Sequence, residues 1–300
     1  MTSTGVTIHE TLFSGLGRLI KAEFYKLQKR TMTKVLIIVM VGIIVLVDFL
    51  LLAISNVNLP PGMGGGGRIE NLLGLPSAIP FSLTLISSFG AVLTIILMAS
   101  STGNEYNWKT IRIAMTASES RFKFLAAKLI SVSLFVLAGM LISVAAGFIA
   151  SMLTTAIGGY AFNFDFATGS YLWAQFLQFL RTFFVIMPYA ALGFLMAIVG
   201  RSAMPGIATG IGVVFLESII TTFMVLAGGW IATVPNYLLS ANVNSIVSLS
   251  DLPTGFGRGI GGGIEENLPS PSHAYITLAI YTVAFLVMAF YFFRKRDITS

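Results

Sequence analysis

The chain has 300 residues, 56% of them apolar, 10% charged, a net charge of +6 and no cysteine. A soluble domain carries about 25% charged residues and could not cover its surface with so few, so water is not this chain's main solvent. Disulfide scaffolds, thiolate metal sites and thiol nucleophiles are excluded, and the basic balance belongs beside membrane spans rather than on a nucleic-acid surface.

From the N-terminus, residues 9–30 predict an amphipathic interfacial helix. Leu12, Phe13, Leu16, Leu19, Ile20, Phe24 and Leu27 fall within an arc of roughly 140°, opposite Arg18, Lys21, Lys26 and Lys29. Such a helix can anchor on anionic lipid headgroups. Glu23 lies inside the apolar arc, where a carboxylate is costly unless paired. It is expected to face protein, with Lys26, Lys29 or a partner subunit as counter-charge.

Six helical spans follow, at about 35–55, 80–102, 129–156, 178–199, 203–226 and 274–293. Residues 71–104, 129–164 and 267–293 contain no Asp, Glu, Lys or Arg, and each run exceeds the roughly 20 residues that cross a bilayer as a helix. The first span follows a 34-residue basic segment, carries Asp48 and has no small-residue cleavage site after it, so it reads as a retained span rather than a signal peptide. Of 18 Lys and Arg, 15 fall in the tail before span 1, the loop between spans 2 and 3, the link at Arg201 and the C-terminal tail. Only Arg68, Arg181 and Arg258 fall toward the other side, so both termini are expected in the cytoplasm. The predicted class is an all-α integral membrane protein, with residues 1–300 forming a single transmembrane domain in the cell membrane.

The outer segments 59–67 (LPPGMGGGG) and 255–263 (GFGRGIGGG) disfavour helix and strand alike. Residues 227–253 are apolar but broken by Gly228, Gly229, Pro235, Asn236, Asn242 and Asn244, which predicts short interfacial or re-entrant helices rather than a seventh span. Catalytic motifs are missing. No G-x-x-x-x-G-K-[S/T] loop is present, and Gly257, Gly259 and Gly262 match G-x-G-x-x-G without a preceding strand. His9-Glu10 lacks a second ligand, and Glu265-Glu266 lacks the arginine that intramembrane proteases place four residues on. The chain is read as a non-enzyme.

The loop between spans 2 and 3, GNEYNWKTIRIAMTASESRFKFLAAKL over 103–129, holds five cations. Gly103 or Asn104 is expected to cap a short cytoplasmic helix with Glu105 in its first turn, exposing Trp108, Lys109 and Arg112; Ser118 would cap a second helix through Arg121, Lys123 and Lys128. A loop that only sets topology explains the charges. It does not explain Trp108, Tyr106 and the apolar Ile111, Ile113 and Met115, which suit a docking helix with an aromatic anchor.

With "AEFYKLQKR" around Glu23, Lys26 and Leu27, "NEYNWKTIRIAMTASESRFKFLAAK" after span 2, and six spans, the sequence resembles a type-2 ABC exporter permease. The group includes bacitracin-resistance-like and drug or peptide exporters, and the resemblance covers essentially the whole chain. The family's loop pattern falls on Glu105, Thr110, Ala117, Arg121 and Lys128, with Ala117-Ser118 where the usual proline stands. The resemblance implies a membrane subunit that docks on a separate cytoplasmic ABC ATPase through a coupling helix bearing Glu105, Trp108, Lys109, Thr110, Arg112 and Arg121. It also implies a second permease copy or a paralogue completing a dimer, and a peptide, antibiotic or lipid-like substrate. ATP and Mg would be used by the partner, with no cofactor on this chain.

Three ionisable groups remain inside the spans: Asp48, Arg181 and Glu217. A charge in hydrocarbon costs at least about 2.5–3.5 kcal/mol, so mutual pairing of Arg181 with a carboxylate is expected, a substrate or gating contact being the other reading. An ion-coupled secondary transporter using Asp48 or Glu217 is the rival function, and a non-transporting membrane scaffold a third. Small residues at Gly139, Ser143, Gly147 and Ser151, and at Gly206 and Gly210, predict close helix packing within the subunit.

Overall fold

The computed structural model describes residues 12–55, 72, 74–107, 121–160, 162–250, 252 and 268–295. Among them are nine α-helices: α1 (Leu12–Lys29), α2 (Thr31–Ser55), α3 (Leu75–Leu85), α4 (Ala91–Asn107), α5 (Arg121–Ile157), α6 (Gly169–Val199), α7 (Ala203–Ala227), α8 (Leu239–Val247) and α9 (Pro271–Lys295). A π-helical turn, Ile86–Gly90, joins α3 to α4, and a 3-10 segment, Gly229–Tyr237, links α7 to α8. Six helices are long and apolar enough to cross a membrane, with α3, the π turn and α4 counting as one. All six predicted spans are present, five of them extended by several residues and the fifth by one.

Burial sorts these helices into an inner pair and an outer ring. In their most apolar stretches the α3–α4 helix and α6 are each 72% buried, whereas α2, α5, α7 and α9 are between 17% and 33% buried. The outer helices turn large apolar side chains outward, including Ile38, Leu46, Leu141, Phe223, Ile276 and Val287. So much exposed hydrocarbon on every outer helix is what lipid contact requires. The chain is a multi-pass membrane protein.

Close backbone approaches hold the inner pair to its neighbours. A Cβ added at Gly103 would collide with the backbone of Ser202 and Ala203, which brings the end of α4 onto the α6–α7 link. Added at Gly206, it would lie 2.7 Å from Ala99 Cβ and from the Gly193 carbonyl oxygen; at Gly210 it would strike Ile95, and at Gly147 the Ser82 hydroxyl. Gly147, Gly206 and Gly210 thus serve close packing within this chain, whereas a Cβ at Gly139 would meet Ile37 at an ordinary 3.7 Å.

The π turn is absent from the sequence reading. Ser87 and Ser88 hydroxyls both donate to the Thr84 carbonyl (2.7 and 3.3 Å), and Thr84 donates to Pro80 O at 3.0 Å. Pro80 has no N–H to offer the ladder, and these hydroxyls supply donors to backbone carbonyls in the stretch where it loosens.

Beyond α7 the chain turns back into the bundle, as the broken apolar stretch predicts. All nine residues of α8 are buried. Asn242 Nδ2 donates to the carbonyls of Asn236 (2.9 Å) and Leu238 (2.6 Å), and Ser245 Oγ donates to Pro269 O at 2.7 Å. A short helix with irregular flanks is stable in this setting because protein, not lipid, surrounds its free backbone groups. Trp173 and Trp230, 61% and 78% exposed, sit near this end of the bundle, where aromatic side chains favour the headgroup region.

The opposite end gathers α1, the end of α4, the start of α5 and the end of α9. Ser131 Oγ donates to Ile20 O at 3.0 Å, and the Phe24 and Phe135 rings lie 5.9 Å apart, so the apolar face of α1 rests on α5. Phe124 of α5 stacks on Phe293 of α9 with centroids 6.4 Å apart. The described ends of the chain therefore share one end of the bundle.

Candidate functional site

At that end lies a cluster of four charged side chains. Lys128, 2% exposed, enters from the first turns of α5 and is among the most enclosed large side chains of the protein. Its ammonium donates to Glu23 Oε2 of α1 (2.8 Å), Glu105 Oε1 of α4 (2.9 Å) and the Ser101 carbonyl of α4 (3.2 Å). An ammonium has three N–H donors, and all three are used here. The Phe124 ring centroid lies 5.5 Å from the same nitrogen. Lys26 pairs with Glu23 one turn away on α1 and approaches Glu105 Oε1 at 3.7 Å. Burial by itself would raise the Glu23 carboxyl, but the ammonium of Lys128, by charge and hydrogen bond, and that of Lys26 bring it below the ordinary carboxylate range.

Two sequence expectations change here. Glu23 does face protein and does take Lys26 as counter-charge, but its principal partner is Lys128, not Lys29, whose ammonium lies over the Tyr25 ring at 5.4 Å. Glu105 was expected in the first turn of a separate docking helix. It lies instead in the last turn of α4, 3% exposed, and no cap interrupts the helix at Gly103 or Asn104. The Lys128 ammonium holds the carboxylate inward.

Of the other residues assigned to the docking helix, Trp108, Lys109, Thr110 and Arg112 lie outside the described residues, as do Ser118 and both glycine-rich segments. Arg121 opens α5. The undescribed stretch 108–120 thus runs between the ends of two helices that Lys128 ties together.

The intramembrane charges do not pair as expected. No ion pair joins Arg181 to Asp48 or Glu217. Arg181 borders a small hollow with Thr84, Ser87, Gln178, Thr182 and Ser250, a polar lining that the sequence reading did not foresee. Asp48 is 5% exposed on α2. Glu217 of α7, 8% exposed, accepts a 2.8 Å hydrogen bond from the Ser240 backbone N–H, one of the amides left free at the start of α8. Its carboxylate is therefore matched by a helix N-terminus rather than by an arginine. Among the described residues its Oε2 has no hydrogen-bond partner.

These features define a helical membrane protein with a buried charge cluster at one end and two buried carboxylates, Asp48 and Glu217, within its spans. Residues 66–299 match the family described as "Protein of unknown function (DUF2705)", and the chain belongs to that family. It is also similar to "Uncharacterized protein YhcI" of Bacillus subtilis (strain 168), 26% identical over 215 residues. That match takes in 69% of this chain and 64% of the relative's length.

Proposed function

We propose that the chain is the membrane permease subunit of an ABC exporter, moving its substrate with ATP hydrolysed by a separate subunit. The observation that carries this reading is the Lys128 cluster. It binds α1, α4 and α5 into one unit at the two ends of the 108–120 segment. A partner that pulls on that segment would move three helices together rather than unravel one, which is what coupling of nucleotide-driven motion to a change of access demands. The sequence resemblance points to the same role, with Trp108, Lys109, Thr110 and Arg112 as the docking contacts. In this reading both ends of the chain face the cytoplasm, α1 lies along the inner membrane surface, and a second permease copy completes the pathway.

Trp108→Ala tests it, because the change removes an aromatic anchor and leaves every topology-setting cation in place. Tagged wild-type chain purified from its own host should bring down a Walker-motif ATPase. The variant should insert normally yet lose that ATPase and the associated export, since such truncations cost about 2 kcal/mol or more at a hot spot. Normal co-purification and export in the variant would remove the docking helix, and an ATPase missing from the wild-type complex would favour ion-coupled transport through Asp48 or Glu217.

A further inference from the structure

A cleft of about 490 Å³ lies between the start of α5 and the last turns of α9, at the end of the bundle that holds the Lys128 cluster. Leu125 and Phe293, both buried, form its floor. Phe122, 66% exposed, Phe290 and Tyr291 form its walls, and Arg294, exposed, stands at its rim. The Phe122 and Phe290 rings bridge the two helices with centroids 4.9 Å apart. Among the described residues that line the cleft there is no carboxylate, and the next cation, Lys295, lies over the Tyr291 ring at 5.7 Å. The 25 residues of α9, at about 1.5 Å each, measure about 37 Å against a hydrocarbon core of about 30 Å. Its last turn therefore reaches the headgroup layer, with Arg294 and Lys295 in it, while Phe290 lies one turn deeper.

We infer that this cleft binds an anionic phospholipid, its phosphate on Arg294 and the upper part of an acyl chain against Phe122, Phe290 and Tyr291. A guanidinium grips a phosphate through two parallel hydrogen bonds, and the neighbouring ammonium of Lys295 adds attraction for net negative charge. Basic pockets between membrane helices recognise anionic headgroups in this way. A soluble phosphate ion would leave the aromatic walls uncovered, and an acidic protein segment would have to enter space that lipid fills. A zwitterionic lipid has the same chains and phosphate, but its own ammonium cancels the charge that the two cations attract. Compensating the negative end of α9 is a second use for Arg294 and Lys295, and that use requires no aromatic cleft beside them. The inference stands apart from the transport reading, because lipid binding here needs no ATPase.

The test uses the full chain purified in a mild detergent. The probes are dioleoyl phosphatidylglycerol and dioleoyl phosphatidylcholine, which share their chains, and native mass spectrometry reads the first bound lipid. The wild type should hold phosphatidylglycerol at least about fivefold more tightly than phosphatidylcholine. In Arg294→Gln the difference should shrink to within about twofold, since the phosphate loses its two-pronged donor. Lys34→Gln removes an exposed cation near the start of α2, outside the cleft, and should keep the preference. Phe122→Ala takes away the exposed wall and leaves the floor intact, so both lipids should bind several-fold more weakly. Equal wild-type affinities, or a preference that survives Arg294→Gln, would overturn the proposal. An equal loss in Lys34→Gln would do so too, by showing attraction to the basic end as a whole. Unchanged binding in Phe122→Ala would place the lipid elsewhere, and a dimer in the same spectra that Phe122→Ala disperses would give the cleft to a second copy; either result overturns it.

Discussion

Lys128 Nζ lies 2.8 Å from Glu23 Oε2, joining two residues 105 positions apart in the chain. With Glu105 on the same nitrogen, one enclosed ammonium serves two carboxylates from two other helices. Removing it leaves both carboxylates buried, with Lys26 at their edge. Breaking a buried ion pair from one side costs about 3–5 kcal/mol, most of it the stranded charge rather than the lost bond. Lys128→Met should therefore lower the thermal unfolding temperature of the detergent-solubilised protein sharply. Adding Glu23→Gln and Glu105→Gln to Lys128→Met should recover part of the loss; a triple variant no more stable than the single one would show that charge burial is not the cause.

The same cluster sets a pH response. Glu23 has a folded-state pKa below its unfolded value, so its contribution is fully present above the unfolded value, near 4.5, and is lost as pH falls through the lowered folded value. Thermal stability of the wild type should decline as pH drops below the ordinary carboxylate range, and Glu23→Gln should flatten that decline. Parallel acid profiles for the two proteins would contradict the assignment. Lys26, Lys128 and Glu105 face the same carboxylate, so the comparison is best made with those three unchanged.

Two glycines predict opposite outcomes. Gly103→Ala drives a methyl into the Ser202 and Ala203 backbone, which cannot rotate away as a side chain could, and should cost about 1–3 kcal/mol as the α6–α7 link is pushed off α4. Gly42→Ala on α2 meets nothing within 4 Å and should be neutral or stabilise by about 0.5–1 kcal/mol, as alanine does in a helix interior. Unfolding temperatures of the two variants, measured in one detergent, check both.

Sidedness follows from the distribution of cations. The native chain has no cysteine, so single cysteines report cleanly. Cysteines replacing Gly65 or Gly261 should react with an impermeant maleimide added to intact cells, and one replacing Thr110 should react only after permeabilisation. Labelling at residue 110 in intact cells would invert the expected orientation and overturn the proposed docking role of that segment.

The six spans were legible from residue order, because a membrane helix needs only a long apolar run and satisfies its backbone bonds within itself. The same holds for the broken stretch after α7, whose Gly, Pro and Asn residues mark where a span cannot continue. The need of Glu23 for a counter-charge was also visible, since a carboxylate within an apolar arc is costly whatever surrounds it. What only the tertiary structure decided is which charges meet. Lys128 reads in the sequence as one more inner-loop cation, although its neighbours Ala126, Ala127 and Leu129 hint at an enclosed position. Glu105 reads as the start of a new helix, yet it lies in α4, turned inward to an ammonium more than twenty positions away. Arg181 reads as the partner of Asp48 or Glu217, yet it goes to a polar hollow, and Glu217 goes to the first amides of α8. Apolar periodicity fixes the helices one at a time, whereas a buried charge is placed by whichever opposite group the packing of several helices brings within reach.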